Sequence, residues 1–246
     1  MNVQAIRTPI FKKNDDLAQF IFQSVPNALV REKIIVAVTS KIVSLSEACL
    51  VSRDMIDKDA LVKREADHYL GDIGYGCHLT IKHGLFIASA GIDESNVEDG
   101  GSVLFPPHPF ESCLALWEAL RAKWNLQELG VVFTDSHTTP LRRGVTGISL
   151  AHAGFQAVRS LIGQPDLYGR ELKMTTMNLA DGLAGAAVMM MGEGSESTPL
   201  AIVSDAPVDF IFNPSADRSR TEVQIPAEED LYFPLFRHLG NFAPKL

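Results

Sequence analysis

The sequence predicts an α/β mixed (α+β) fold in which rigid elements deliver acidic loops. Two observations carry this. Short β-branched apolar runs are interspersed with segments whose apolar residues recur every three or four positions, and several of these elements end in Asp, Glu, Asn and Gly. With 246 residues the chain can bury a substantial core, as one large unit or as two closely packed lobes.

The elements follow in order. NDDLAQFIFQS (14–24) sets Leu17, Phe20 and Ile21 on one face behind an Asn/Asp cap signal and reads as an amphipathic helix. IIVAVTS (34–40) is too short and β-branched to prefer a helix and reads as a buried strand. LTIKHGLFIASAG (79–91) reads as two strands joined through His83-Gly84, the second emptying into GIDESNVEDGG. ESCLALWEALRAKW (111–124) carries Leu114, Trp117, Leu120 and Trp124 at helical spacing and precedes the strand GVVFT. GISLAHAGFQAVRSLIG (147–163) and MNLADGLAGAAVMMMG (177–192) read as two more helices, the second rich in small residues and so packed closely against a neighbour. Its run Met189-Met190-Met191 reads as core packing. PLAIVSD (199–205) is a last strand before a Pro- and charge-rich tail containing the apolar DLYFPLF. There is no internal repeat or flexible linker.

A formal net charge of -8 opposes non-specific binding to nucleic acid or an anionic membrane, so any phosphate site must be a local cluster of cations, with Arg142 and Arg143 the first candidates. Cys49, Cys77 and Cys113 support neither a disulfide framework nor a paired-cysteine zinc site, which fits a reducing cytoplasm. The N-terminus lacks a leader pattern, and LAGAAVMMMG falls short of the roughly 20 residues that span a bilayer, so a soluble protein is expected. GDIGYG (71–76) matches neither the dinucleotide fingerprint nor the phosphate loop. His137 beside Asp135 invites a general-base reading, although no hydrolase elbow or paired-histidine zinc motif is present.

Three acidic clusters carry the chemistry: Asp93 with Asn96 in GIDESN, Asp135 with Ser136 in TDS, and Glu193 in MGEGSE. Each is expected just past a strand or helix that holds it rigidly. Short hard-oxygen ligands of this kind suit Mg²⁺ or Mn²⁺, with water or substrate phosphate completing the octahedron. The flanking Gly192 and Gly194 would let backbone amides approach a phosphate. A single acidic loop is ordinarily solvated or caps a helix, so the clusters gain weight only by converging in space.

Taken together, SKIVS (40–44), AGIDESN (90–96), TDS…RRGVTGI (134–148), DLYGRELKMT (166–175), ADGLAGAA (180–187) and MGEG (191–194) resemble the coenzyme F(420) γ-glutamyl ligase family over most of residues 8–205. The resemblance implies a single ligase unit over 1–246, with a catalytic core at 8–205 and a tail at 206–246 docking on the core or a dimer partner. It implies mixed β-sheets with packed helices, two lobes and an intertwined cytoplasmic homodimer. It also implies an activity: amide formation between L-glutamate and a carboxylate of a deazaflavin precursor, with GTP, or ATP, as co-substrate, Mg²⁺ or Mn²⁺ bound, and K⁺ as an optional further cation. Asp93, Asp135 and Glu193 fall where the family has metal-binding acids, Ser136 where it has a metal-contacting Thr, and Asn96 where an Asn contacts nucleotide. Pro9, Ile10, Ser40, Lys41, Met191, Gly192 and Gly194 align with nucleotide-pocket segments, and Arg142 and Arg143 are expected to steady the transferring phosphoryl group or a substrate carboxylate.

The chain also departs from the family pattern. A usual Lys is Leu45, a usual Gly-Arg is Ala48-Cys49, a second is Thr138-Thr139, and an Asp-Pro-Asp is His108-Pro109-Phe110. All the metal acids survive while cationic positions change. The expectation is therefore a working metal and phosphate centre with an altered acceptor pocket, similar to a branch of the family assigned to folate metabolism, whose acceptor would be a pteridine. The competing expectation is a non-catalytic nucleotide- or flavin-binding homologue.

Overall fold

The computed structural model describes residues 1–52, 55–97 and 100–236. Its centre is a five-stranded sheet in the order β1-β12-β2-β8-β9, made of β1 (Asn2–Ile6), β2 (Ile34–Thr39), β8 (Leu129–Thr138), β9 (Val145–Ala153) and β12 (Leu200–Ser204). β2 runs parallel to β8, and the other neighbours are antiparallel. Every residue from Ile34 to Val38 is fully buried, as a central strand covered on both faces demands.

The period of two along β2 divides the core. Ile34, Val36 and Val38 face α1 (Leu17–Ser24), α2 (Ser40–Ser46) and α4 (Pro109–Trp124), whereas Ile35 and Ala37 face α5 (Leu179–Met191). Three of these helices, α1, α4 and α5, carry their own boundary signals. The Asp16 side chain accepts the Gln19 N–H at α1, Pro109 occupies the first turn of α4, Asn125 ends it in the left-handed conformation, and the Asn178 side chain accepts the Asp181 N–H at α5.

A smaller three-stranded sheet, β4 (His68–Gly74), β5 (Cys77–Lys82) and β6 (Leu85–Ala88), is accompanied by α3 (Lys58–Glu65). Two-stranded pairs join β3 (Leu50–Val51) to β7 (Ser102–Val103), and β10 (Val158–Ser160) to β11 (Thr176–Asn178). After β12, α6 (Ala216–Val223) lies on α4, where Arg220 pairs with Glu111 at 2.6 Å and Gln224 donates to the His83 carbonyl. A last turn, α7 (Phe233–Phe236), leaves Leu231, Tyr232 and Leu235 exposed. The end of the expected tail, 237–246, lies outside the described residues.

Three expectations are corrected. Residues 147–163 are strand β9 followed by the short β10, because pairing with β8 overrides the helix-forming Leu and Ala of that stretch. β8 does not stop at Thr134 but continues through Asp135, Ser136 and His137 to Thr138, since β9 extends the ladder opposite them. Of the three methionines only Met191 is buried; Met189 and Met190 are 77% and 51% exposed, on the side of α5 turned from the sheet. The close packing expected of α5 is present. A Cβ on Gly147 would lie 2.4 Å from the Ala184 carbonyl oxygen, so only glycine lets α5 lie this near to β9.

Candidate active site

The candidate acids come from three separate segments. Asp135 and Ser136 stand on β8, Glu193 directly follows α5, and Asp93 follows β6 through Ser89-Ala90-Gly91, three consecutive residues at positive φ (50°, 56° and 70°). Two of those are not glycine, and such backbone persists only where its surroundings over-determine it. Here they do. Buried Thr80 donates to the Ile87 carbonyl and accepts the Ala90 N–H, the His78 N–H reaches the Ser89 hydroxyl, and the Phe105 ring lies 2.2 Å from where a Gly91 Cβ would stand. Asp93 then exchanges both backbone hydrogen bonds with Val103.

The segments converge. Ser136 Oγ donates to Glu193 Oε1 at 2.6 Å, and Asn96 Nδ2 donates to the Gly194 carbonyl at 3.3 Å. Asp135 keeps part of its surface open, yet its carboxyl is pushed up to about 7. Burial is the main cause, the Asp93 and Glu193 charges add to it, and the Ser136 N–H and Lys41 oppose it. At Asp93 burial also favours the neutral form, but the Lys41 ammonium at 2.7 Å and the Ser95 amide outweigh it and hold the acid below its usual range. Glu94 is turned to Lys58, 2.7 Å away, and so takes no part in this cluster.

The other candidates surround the acids to different degrees. Ser40 is buried at the start of α2 and Lys41 follows it. Exposed Pro9 and Ile10 follow Thr8, whose N–H binds the Ser197 carbonyl, so their segment lies against the loop that continues from Glu193. Met191 is buried beneath that loop, and the Gly194 N–H is bound by Glu196 Oε2 at 2.8 Å. Arg142 and Arg143 lie on the exposed turn between β8 and β9, and neither side chain has a hydrogen-bond or ion-pair partner among the described residues. His137 is half-buried opposite Thr146 on β9.

Three participants escaped the sequence reading. Ser95 and Glu196 fill hydrogen-bonding positions beside Asp93 and Gly194, and Asp181, in the first turn of α5, accepts the Ser149 N–H at 3.0 Å beside a register shift in the β8–β9 ladder. Ser95 and Glu196 sit inside motifs already marked by their neighbours; for Asp181 the capping position was the available signal.

Depressions of about 330 Å³ beside Arg218 and Glu222 and about 420 Å³ beside Lys33 and Asp205 share no residue with these acids. Among the described residues no three His, Cys, Asp or Glu side chains, these acids included, are grouped so as to hold a metal ion, and no helix is long and apolar enough to cross a membrane.

Residues 5–205 match the family model of the F420-0:gamma-glutamyl ligases. The chain belongs to that family. Its similarity to the coenzyme F420:L-glutamate ligase of Methanopyrus kandleri is 33% identity over 209 residues, 78% of this chain and 81% of that protein. The corresponding ligase of Archaeoglobus fulgidus is 31% identical over 237 residues, 91% and 92% of the two chains, and that of Methanococcus maripaludis strain C7 is 27% identical over 249 residues, 94% and 97%. Membership makes the chain a ligase that forms carbon–nitrogen bonds. As an F420-0:gamma-glutamyl ligase family member it has all its candidate acids inside the matched span, while α6 and α7 lie beyond it.

Proposed function

We propose that the chain is a nucleoside-triphosphate- and divalent-metal-dependent γ-glutamyl ligase that joins the amine of L-glutamate to a carboxylate of a folate-type or coenzyme F420-type acceptor. The observation that carries the reading is the meeting of Asp93, Asp135 and Glu193 from three distant segments, expressed in the Ser136–Glu193 hydrogen bond and in the raised affinity of Asp135 for a proton. The donor set fits a hard divalent ion. Three carboxylates and a hydroxyl supply oxygen alone, and the burial that raises Asp135 to about 7, with the Asp93 and Glu193 charges adding to it, is a cost of ionisation that a bound cation would offset. Among the described residues these acids are not already grouped to hold a metal ion, so the reading requires water and substrate phosphate to complete the ion's shell.

Asp93, Asp135, Ser136 and Glu193 would hold Mg²⁺ or Mn²⁺, which supplies charge neutralisation on the β- and γ-phosphates. Ser40, Lys41 and Asn96, with Pro9-Ile10 and Met191–Gly194, surround the nucleotide; Glu196 must release the Gly194 amide before a phosphate uses it. The γ-phosphoryl group passes to the acceptor carboxylate, giving an acyl phosphate and a nucleoside diphosphate. The glutamate amine then attacks the acyl carbon, inorganic phosphate leaves, and the amine proton goes to solvent. Arg142 and Arg143, without side-chain partners among the described residues, steady the anionic groups. A cytoplasmic homodimer, with K⁺ as an optional further cation, belongs to the same reading.

Leu45, Cys49 and Thr139, standing where the family carries cations, support a folate-type acceptor; the names of the relatives support the deazaflavin. Phosphate release is to be measured with Mg²⁺ or Mn²⁺, GTP or ATP and L-glutamate, with dihydropteroate, a folate and the deazaflavin precursor offered in parallel. Turnover with one acceptor, abolished in Asp135→Asn, establishes the ligase and names its acceptor. Silence with all three, in protein that binds nucleotide and metal, overturns the acceptor assignment and favours the non-catalytic homologue.

A further inference from the structure

Lys41 spends its whole hydrogen-bonding capacity on one loop. An ammonium has three donors, and Lys41 Nζ lies 2.7 Å from Asp93 Oδ2, 2.7 Å from the Ser95 carbonyl and 3.0 Å from the Ser95 hydroxyl. The head group is only 20% exposed as a side chain, and it leaves the rigid first turn of α2, next to buried Ser40, so it is held rather than trailing in solvent. The loop it holds is fixed independently from below, by the Asp93–Val103 bridge and the Ser89–Gly91 turn.

We propose that Lys41 is a tethered counter-ion which competes with the divalent cation for Asp93, and that its displacement couples metal binding to nucleotide binding. The inference rests on the proposed metal and nucleotide reading. A divalent ion at Asp93 and an ammonium bonded to the same carboxylate repel, while the donors of Lys41 can serve either the loop or a nucleotide phosphate. Metal entry at Asp93 releases those donors at the edge of the same site, where the phosphate accepts them. Metal therefore tightens nucleotide binding, and by reciprocity nucleotide tightens metal binding by the same factor. A lysine that merely braced the loop gives the opposite sign, since its removal would loosen the site and weaken the metal.

The test is Mn²⁺ binding, followed by calorimetry and by loss of the free-Mn²⁺ spin signal, in the full chain with and without GTP. Wild type, Lys41→Met and Lys41→Arg are compared after their folding is checked by circular dichroism. Lys41→Met, which removes the charge and keeps the stem, is expected to bind Mn²⁺ about fivefold or more tighter than wild type without GTP, and to lose most of the tightening that GTP gives wild type. Lys41→Arg keeps a cation and stays near wild type. Equal or weaker Mn²⁺ binding by Lys41→Met, with wild type binding normally, overturns the competition and leaves the ligase reading standing. No Mn²⁺ binding by any of the three with GTP present overturns both.

Discussion

Ser136 Oγ on β8 donates a 2.6 Å hydrogen bond to Glu193 Oε1 in the loop after α5, joining positions 57 residues apart in the sequence. Ser136→Ala removes this link on a partly solvent-exposed rim. The expected cost in stability is about 1 kcal/mol or less, whereas Mn²⁺ affinity falls about tenfold or more because Glu193 loses its orientation. Urea unfolding and calorimetry on one preparation check both halves.

Asp135 makes the stability of the metal-free protein depend on pH. Its carboxyl is raised from the ordinary 3.8 to about 7 in the folded chain. Below 3.8 both states carry the proton. Between 3.8 and about 7 the unfolded chain releases it while the native state retains it, so this group's contribution falls as pH rises and is fully lost above about 7. Asp135→Asn should therefore melt higher than wild type at pH 8 by a margin that shrinks toward pH 5, even though loss of activity is expected of it. Saturating Mg²⁺ should cancel the margin by stabilising wild type alone. A variant melting below wild type at pH 8 without metal would contradict this account of the site.

Arg142 and Arg143 offer a clean separation of function from stability. Both are exposed and unpaired among the described residues, so Arg142→Ala and Arg143→Ala are expected within about 0.5 kcal/mol of wild type by denaturant unfolding. Turnover is expected to drop about tenfold or more for at least one of them, through lost charge on a transferring or substrate anion. Unchanged steady-state kinetics in both would remove them from the mechanism.

Gly147→Ala tests the contact that seats α5. The added methyl would approach the Ala184 carbonyl oxygen to 2.4 Å and the Val188 side chain to 2.7 Å, and helix backbone cannot turn aside as a side chain can. The expected destabilisation is about 1–3 kcal/mol in urea unfolding, with metal affinity reduced because the shift is passed along α5 to Glu193. A neutral substitution would mean that α5 is not held against β9 as described.

The sequence by itself determined the elements whose local pattern agrees with their final surroundings. The Asp16-capped helix, the unbroken apolar run of β2, the His83-Gly84 turn and the helix of α4 were all legible because propensity, capping and burial point one way. It also marked Asp93, Asp135 and Glu193, since hard-oxygen residues beside rigid elements stand out from ordinary turns. Tertiary structure decided the rest. Residues 147–153 hold Leu and Ala that suit a helix, and only the ladder offered by β8 makes them a strand. That same ladder keeps Asp135 and Ser136 inside β8, while α5, pressed on Gly147, brings Glu193 to them from the far side of the chain. Lys41's grip on Asp93 and Ser95 was invisible for the same physical reason: a side chain's partner across 52 residues is set by which strands pair and how closely a helix can lie on them, and neither is written in any local pattern.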